Sequence, residues 1–225
     1  DPLMNWRLSA LDRFSLVSNS DSHSPSKIGR EANVFNCDLD YFQIREVLKN
    51  KDKKKFLYTI EFFPEEGKYH YDGHRLCGVC LSPEESKKNG NRCPKCKKPL
   101  TIGVMNRVCQ LSDREAGFIP KNAIPYKNLV PLDEIIAEAK NLGKATAGVE
   151  KEHRGLISRY GTEFEILMSV PQEELNRSVN PKIAEGIARV RAGRVRLDPG
   201  YDGEYGKVHI FGTDEDKKLS EEQMS

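Results

Sequence analysis

Apolar residues recur along this chain with two different periods, and the change of period divides it. Residues 56–63 place Phe56, Tyr58, Ile60 and Phe62 in alternation with Leu57, Thr59, Glu61 and Phe63, the period of two that marks a strand. A shorter strand is expected over residues 14–19, with Phe14 and Leu16 on one side. Residues 26–33 read as a short helix carrying Arg30, and residues 101–108 read as a strand. Asp40, with Gln43 three residues on, resembles a capping box that opens a helix through Lys49, its apolar stripe formed by Ile44 and Leu48. Beyond residue 130 the spacing becomes three and four. Pro131 opens a helix with Leu132, Ile135, Ile136 and Ala139 on one face and Gly143 past its end. A second helix spans about residues 149–160 and stops at Gly161. Thr162 with Glu165 forms another capping box, starting a helix that holds Phe164, Leu167 and Met168. Asn180-Pro181 caps a helix along Ile183, Ile187 and Val190, with Gly193 ending it. Arg194-Val-Arg-Leu and Lys207-Val-His-Ile-Phe read as two closing strands.

Between these halves the composition turns polar and rich in turn formers. There Cys77-Gly-Val-Cys80 is followed, after twelve residues, by Cys93-Pro-Lys-Cys96. Two such hooks can place Cys77, Cys80, Cys93 and Cys96 at the corners of a tetrahedron around a structural zinc ion, with Zn–S distances of about 2.3 Å. Ser82-Pro83, Asn89-Gly90-Asn91 and Pro94 supply the turns of a ribbon. A pair of disulfides is the alternative; Cys37 and Cys109 stand alone, and nothing else suggests an oxidising compartment. With four thiolates present, His70 and His74 are expected outside the ligand shell, as supporting donors, phosphate contacts or plain surface histidines.

Three smaller features carry chemistry with an open alternative. In extended backbone, residues i and i+2 point the same way, so Asp21 and His23 in Ser20-Asp-Ser-His-Ser-Pro can grip one metal ion; an ordinary polar turn is the other reading. Tyr160-Gly161-Thr162 joins two helices and either stops the first or offers amides to a phosphate. Pro199-Gly-Tyr-Asp-Gly-Glu-Tyr-Gly206 is a shaped loop whose Tyr201 or Tyr205 either stacks on a base or packs against the helices.

Charge adds little as a total, +2 at pH 7, and more as a distribution. From Lys49 to Arg107 there are 14 Lys and Arg against 7 Asp and Glu, while the end of the chain is acidic, an asymmetry compatible with a phosphate backbone over the middle. No apolar run approaches a membrane span and no signal peptide is visible, so a soluble cytoplasmic protein is expected. The opening Asp1-Pro-Leu-Met-Asn-Trp reads like the middle of a protein.

Four segments together resemble a known family. Leu16-Val-Ser-Asn-Ser-Asp-Ser-His-Ser-Pro with Gly29-Arg-Glu-Ala-Asn33 is similar to the last metal motif of the PHP (polymerase and histidinol phosphatase) superfamily. Tyr69-His-Tyr-Asp-Gly-His-Arg-Leu-Cys-Gly-Val-Cys, Pro99-Leu-Thr-Ile-Gly-Val and the loop from Pro199 resemble its endonuclease Q branch, enzymes that nick DNA on the 5′ side of deaminated bases and abasic sites. The resemblance covers nearly the whole chain. It implies that Asp21 and His23 bind catalytic divalent ions (Mn2+, Mg2+ or Zn2+) and that Cys77, Cys80, Cys93 and Cys96 are zinc ligands. It further implies that the His-x-His motif of an amino-terminal half-barrel is missing here. Gln223-Met224-Ser225 resembles the start of a short sliding-clamp peptide.

The expected fold class is therefore α/β. Residues 1–63 would form the carboxyl-terminal part of a PHP-type (β/α)7 barrel and 64–113 a four-cysteine zinc domain. Residues 114–130 would be a linker, and 131–225 a helical DNA-binding domain ending in a β-hairpin and an acidic tail. The expected function is part of a metal-dependent endonuclease in DNA repair, with DNA containing deaminated bases as partner. The alternatives are a non-catalytic DNA-binding fragment, because half of the metal cage is absent, and a small-molecule PHP phosphoesterase.

Overall fold

The computed structural model describes residues 1–212, and the tail with its expected clamp peptide lies outside the described residues. The chain is mixed α/β and divides by contacts into two units, 1–127 with 198–207, and 128–197 with the residues after 207.

The first unit begins with a short helix, α1 (Pro2–Asn5), capped by Asp1. Strand β1 (Ala32–Phe35) pairs antiparallel with β2 (Phe56–Glu61), and Phe35 stacks on Phe56 with ring centroids 4.7 Å apart. Helix α2 (Tyr41–Asn50) connects them and is capped as expected by Asp40, which accepts from the Gln43 amide at 2.9 Å. The reciprocal half of that box is not made, because the Gln43 amide group donates instead to Asp38. In the cysteine region β3 (Asp72–His74) pairs antiparallel with β4 (Val79–Leu81), followed by α3 (Pro83–Lys88) and α4 (Val104–Leu111). Strand β5 (Tyr126–Asn128) joins the first sheet in the order β1-β2-β5.

Three expectations for this unit give way. Residues 14–19 form no strand, since among the described residues no strand pairs with them. The side chain of Asn33 in β1 takes that place, its Oδ1 accepting from the Ser18 amide at 2.9 Å and its Nδ2 donating to the Ser18 carbonyl at 2.7 Å. Residues 26–33 are not a helix. A 3-10 turn at Pro25–Lys27 leads instead to β1, where pairing with β2 satisfies backbone groups that a short isolated helix would leave open. Residues 101–108 are not a strand either, for α4 begins within them. Its start is held by Asp72, fully buried, whose carboxylate accepts from the Gly103 amide and from the Asn106 side chain, both at 2.6 Å. An anion at a helix start satisfies amides that have no intrahelical partner.

The second unit is helical: α5 (Leu132–Lys140), α6 (Ala147–Tyr160), α7 (Gln172–Ser178) and α8 (Pro181–Arg191). Leu132, Ile135, Ile136, Ile183 and Ile187 are completely buried, as their spacing requires. Helix α5 ends earlier than expected, at Asn141, whose φ of 53° supplies the left-handed cap that Gly143 was expected to provide. The Thr162–Glu165 box forms in both directions, but the turn it starts, Glu165–Ser169, is a π-helix. Arg191 gathers the loose carbonyls of that turn, donating to Ile166, Leu167 and Val170 at 2.7–2.8 Å. Strands β6 (Arg196–Asp198) and β7 (Lys207–His209) pair with each other as expected.

Asp72→Ala is expected to destabilise the protein by about 3 kcal/mol, since two charge-assisted bonds are lost in a buried place. Asp40→Ala, at an exposed cap, should cost about 1 kcal/mol. Urea unfolding of both variants checks the order, and equal losses would deny Asp72 its role.

Candidate metal centre

Strand geometry selects the donors in the cysteine region. Directly opposed residues of an antiparallel pair share a face, and neighbours along a strand alternate. His74 opposes Val79, and Val79 packs with Cys93, Leu100 and the half-buried Cys77. Cys80 opposes Gly73 and so faces the other way. The result is one cluster: the donor atoms of His74, Cys77, Cys93 and Cys96 all lie within 4.8 Å of one another. The His74 Nδ1 stands 3.6 Å from the Cys96 Sγ, close to the ~3.5 Å edge of a tetrahedron built with a metal–sulfur bond of ~2.3 Å and a metal–nitrogen bond of ~2.05 Å. This arrangement could hold a metal ion, with His74 in the position where Cys80 was expected.

Local backbone builds the two turns that present these groups. Gly78 and Lys97 both adopt left-handed φ, 58° and 63°. The Lys97 amide donates to the Cys93 carbonyl and the Cys93 amide to the Lys98 carbonyl, each at 2.8 Å. Lys95 Nζ donates to the Cys77 carbonyl at 2.7 Å. Burial and the thiols of Cys96 and Cys93 push Cys77 up to about 11. Burial also acts on Cys93, but amides of Cys96 and Lys95 and the neighbouring thiols outweigh it and hold Cys93 below the ordinary thiol range. Ligation requires such thiols as thiolates, so an ion entering the site would displace their protons.

Cys80 has another partner. Its Sγ donates to the Pro199 carbonyl at 3.7 Å, and burial, with Glu85 and Asp72 nearby, pushes it up to about 11. Pro199 opens the 199–206 loop, which is laced to residues 65–71. Gly200 donates to Glu65 and Tyr71 donates to Gly200, while Gly203 donates to Lys68 and Gly206 to Glu66, at 2.7–3.1 Å. Asp202 closes the lacing, accepting from the Arg75 amide at 2.6 Å and from the Thr101 hydroxyl at 2.5 Å. Gly73 must lack a side chain, because a Cβ there would stand 2.3 Å from the Tyr201 ring.

The other residues singled out by the sequence fall in separate places. Asp21 and His23 are exposed; Asp21 has a left-handed φ of 46°, and the His23 Nδ1 lies 2.8 Å from the Asp21 carbonyl. They belong to no cluster of three or more donors among the described residues. His70 is buried against Tyr71, and burial lowers its pKa against an opposing bond to Pro64. The Tyr160-Gly161-Thr162 turn offers no free amide to a phosphate, since Glu165 accepts from the Thr162 amide at 2.6 Å. The sequence reading passed over a cavity of about 400 Å³ lined by Leu16, Ser18, Glu31, Thr59 and Glu61 among others. Burial and then the Glu61 charge raise the pKa of Glu31 there. His74, expected outside the ligand shell, instead lies within the cluster, and His74-Arg-Leu-Cys77 has the same x-x spacing as the cysteine hooks.

A family model described as the MJ0043 C-terminal domain matches residues 131–194. The uncharacterized protein MJ0043 of Methanocaldococcus jannaschii is 35% identical over 200 residues, 85% of this chain and 25% of that protein. The uncharacterized protein YqxK of Bacillus subtilis is 30% identical over 210 residues, 92% of this chain and 50% of that protein. The chain thus spans half or less of these curated relatives. The crystal structure of the lesion-specific endonuclease PfuEndoQ from Pyrococcus furiosus matches with a TM-score of 0.83 at 28% identity, over 98% of this chain and 56% of that one. The chain is similar in structure to endonuclease Q. A second endonuclease Q structure, a complex with a 27-mer duplex substrate carrying an abasic lesion at the active site, matches with a TM-score of 0.78 at 28% identity, over 95% of this chain and 55% of that one. No described helix is long and apolar enough to cross a membrane.

Metal analysis of purified variants separates the two donor sets. His74→Ala and Cys93→Ser are expected to lose the bound metal, whereas Cys80→Ser should keep it, because the Cys80 thiol faces Pro199. Metal loss from Cys80→Ser with retention in His74→Ala would restore the four-cysteine set.

Proposed function

We propose that this chain is part of a metal-dependent endonuclease that cuts DNA beside damaged bases. The observation that carries the proposal is the match of 95–98% of the chain to endonuclease Q structures, one of them on a duplex with an abasic lesion. In this reading residues 1–63 belong to the carboxyl-terminal part of a PHP-type barrel, and Asp21 and His23 hold divalent ions in the whole enzyme. Such ions lower the pKa of a bound water and neutralise charge at the phosphorus. Asp21 would offer its carboxylate and His23 a neutral nitrogen; both are exposed, as groups that meet a substrate must be. The carbonyl contact at His23 Nδ1 fixes the tautomer and leaves Nε2 as the donor atom.

The metal at His74, Cys77, Cys93 and Cys96 is assigned as a structural zinc. Four protein donors close the coordination shell and leave no position for water, so this ion organises the β3–β4 ribbon rather than the chemistry. Selecting a deaminated base requires turning it out of the duplex, which costs least where pairing is already weak.

A second reading draws on a specific observation: the described residues bring no third donor to Asp21 and His23. The 225-residue chain alone would then bind DNA without cutting it. Nicking of uracil-containing and abasic duplexes, with Mn2+ or Mg2+, is the test. The full-length protein is expected to cut, and Asp21→Asn in it to lose at least 100-fold in rate while DNA binding is unchanged, the order of effect expected for losing a metal-held group. Undiminished cutting by Asp21→Asn would remove Asp21 from the active site, and cutting by the 225-residue chain alone would remove the second reading.

A further inference from the structure

The 199–206 loop carries two tyrosines with different surroundings. Tyr201 is laid over Gly73 and is half-buried, whereas Tyr205 is 69% exposed. Tyr69, on the segment to which the loop is laced, is 51% exposed. Both lie where the loop is laced to Lys68 and its neighbours. The Gly203 amide donates to the Lys68 carbonyl at 3.0 Å, and the Tyr69 hydroxyl and an Arg75 guanidinium nitrogen lie 3.7 and 3.6 Å from where a Cβ on Gly203 would stand. Lys68 Nζ sits 4.5 Å from the centroid of the Tyr205 ring. Tyr69 and Arg75 thus border Gly203, whose φ of 88° suits no other residue well, and the Tyr205 ring lies against the side chain of Lys68, whose carbonyl holds the Gly203 amide.

The rings are held by rigid backbone. The lacing bonds at Gly200, Gly203 and Gly206, and the Asp202 clasp on Arg75, fix the loop to the segment that carries Lys68 and Tyr69. The acidic neighbour Glu204 approaches Arg75 at only 3.8 Å with both side chains more than half exposed, so it competes weakly with a phosphate. Aromatic faces stack on any base, and cations beside them take up the backbone charge.

We propose that Tyr69 and Tyr205, with Lys68 and Arg75, form a subsite for an unpaired nucleotide of single-stranded DNA, the rings stacking on the base and the cations meeting its phosphates. The subsite rests on the DNA reading above and adds to it a place on this chain where an unstacked base is received. It involves neither the Asp21 turn nor the metal donors.

The test is fluorescence anisotropy of a short labelled single-stranded oligonucleotide with the 225-residue chain and with the full-length protein. Tyr69→Ala and Tyr205→Ala should each weaken binding roughly tenfold, as expected for one lost base–aromatic stack. Tyr205→Phe should bind like the unmodified protein. Lys68→Ala should lower the salt slope by about one while affecting all sequences alike. Bound metal is measured alongside, and photocrosslinking of a 5-bromodeoxyuridine oligonucleotide to the unmutated protein gives a readout independent of folding. Crosslinks at Tyr69 or Tyr205 are expected. If the alanine variants keep their metal and bind as before, or if crosslinks map only elsewhere, the subsite is wrong while the DNA reading stands. If the unmutated full-length protein neither binds nor cuts DNA, both fail.

Discussion

The Asp202 carboxylate joins three stretches of chain that are far apart in sequence. It accepts from the Arg75 amide and the Thr101 hydroxyl and sits on the loop that is laced to residues 65–71. Arg75 immediately follows His74, so the corner at which the histidine leaves β3 is fixed by a group more than a hundred residues away. Those bonds hold the Asp202 carboxyl below the ordinary range, chiefly the Thr101 hydroxyl and then the Arg75 amide. A depressed carboxylate stabilises the fold above its unfolded pKa and stops doing so as pH falls through the folded value. The clasp is therefore a property of neutral solution.

The small number of buried apolar groups in the cysteine region explains why such ties are needed. Val79, Cys93 and Leu100 form its core, with Cys77 and Leu81 partly buried against them. Three small clustered side chains cannot offset the entropy of ordering some forty residues. The rest comes from directed bonds: Asp72 under the start of α4, the capping box of α3 and the Asp202 clasp, to which an ion at the His74, Cys77, Cys93 and Cys96 cluster would add. Cys80 belongs to the same set in a different capacity. Its thiol donates to the Pro199 carbonyl and thereby helps to hold the loop on β4.

What could be read from the sequence follows from where the stabilising interactions lie. Helices α5 and α8 were legible because their apolar stripes face one core, Ile135, Ile136, Ile183 and Ile187 all being fully buried, and α6 was expected as well, whereas α7 was not. Strand β2 was legible for the same reason as α5 and α8. Residues 14–19 have the pattern of a strand but no partner strand among the described residues, and pattern alone cannot supply one. Residues 101–108 alternate like a strand, yet Asp72, about thirty residues earlier, provides a cap that local sequence does not announce. Three of the four thiols expected around a zinc ion lie in the cluster that could hold one. The place of His74 beside them was hidden because two Cys-x-x-Cys hooks look complete; it is the register of β3 on β4 that turns His74 towards the cluster and Cys80 away from it.

The same register links the metal to the exposed tyrosines. Gly73 lies opposite Cys80, on the face of the ribbon that receives Tyr201, while its neighbour His74 faces the metal donors. The ribbon is thus a thin partition: one face presents the donors that could hold an ion, and the other receives the loop whose far end carries Tyr205. An ion held by those four donors would have no open position and would act by setting the plane on which the loop is laid. Stacking demands rings whose orientation is fixed before the base arrives, since ordering them on binding would consume the gain. In the proposed subsite, the laced backbone of loop and ribbon would supply much of that order with very little buried surface.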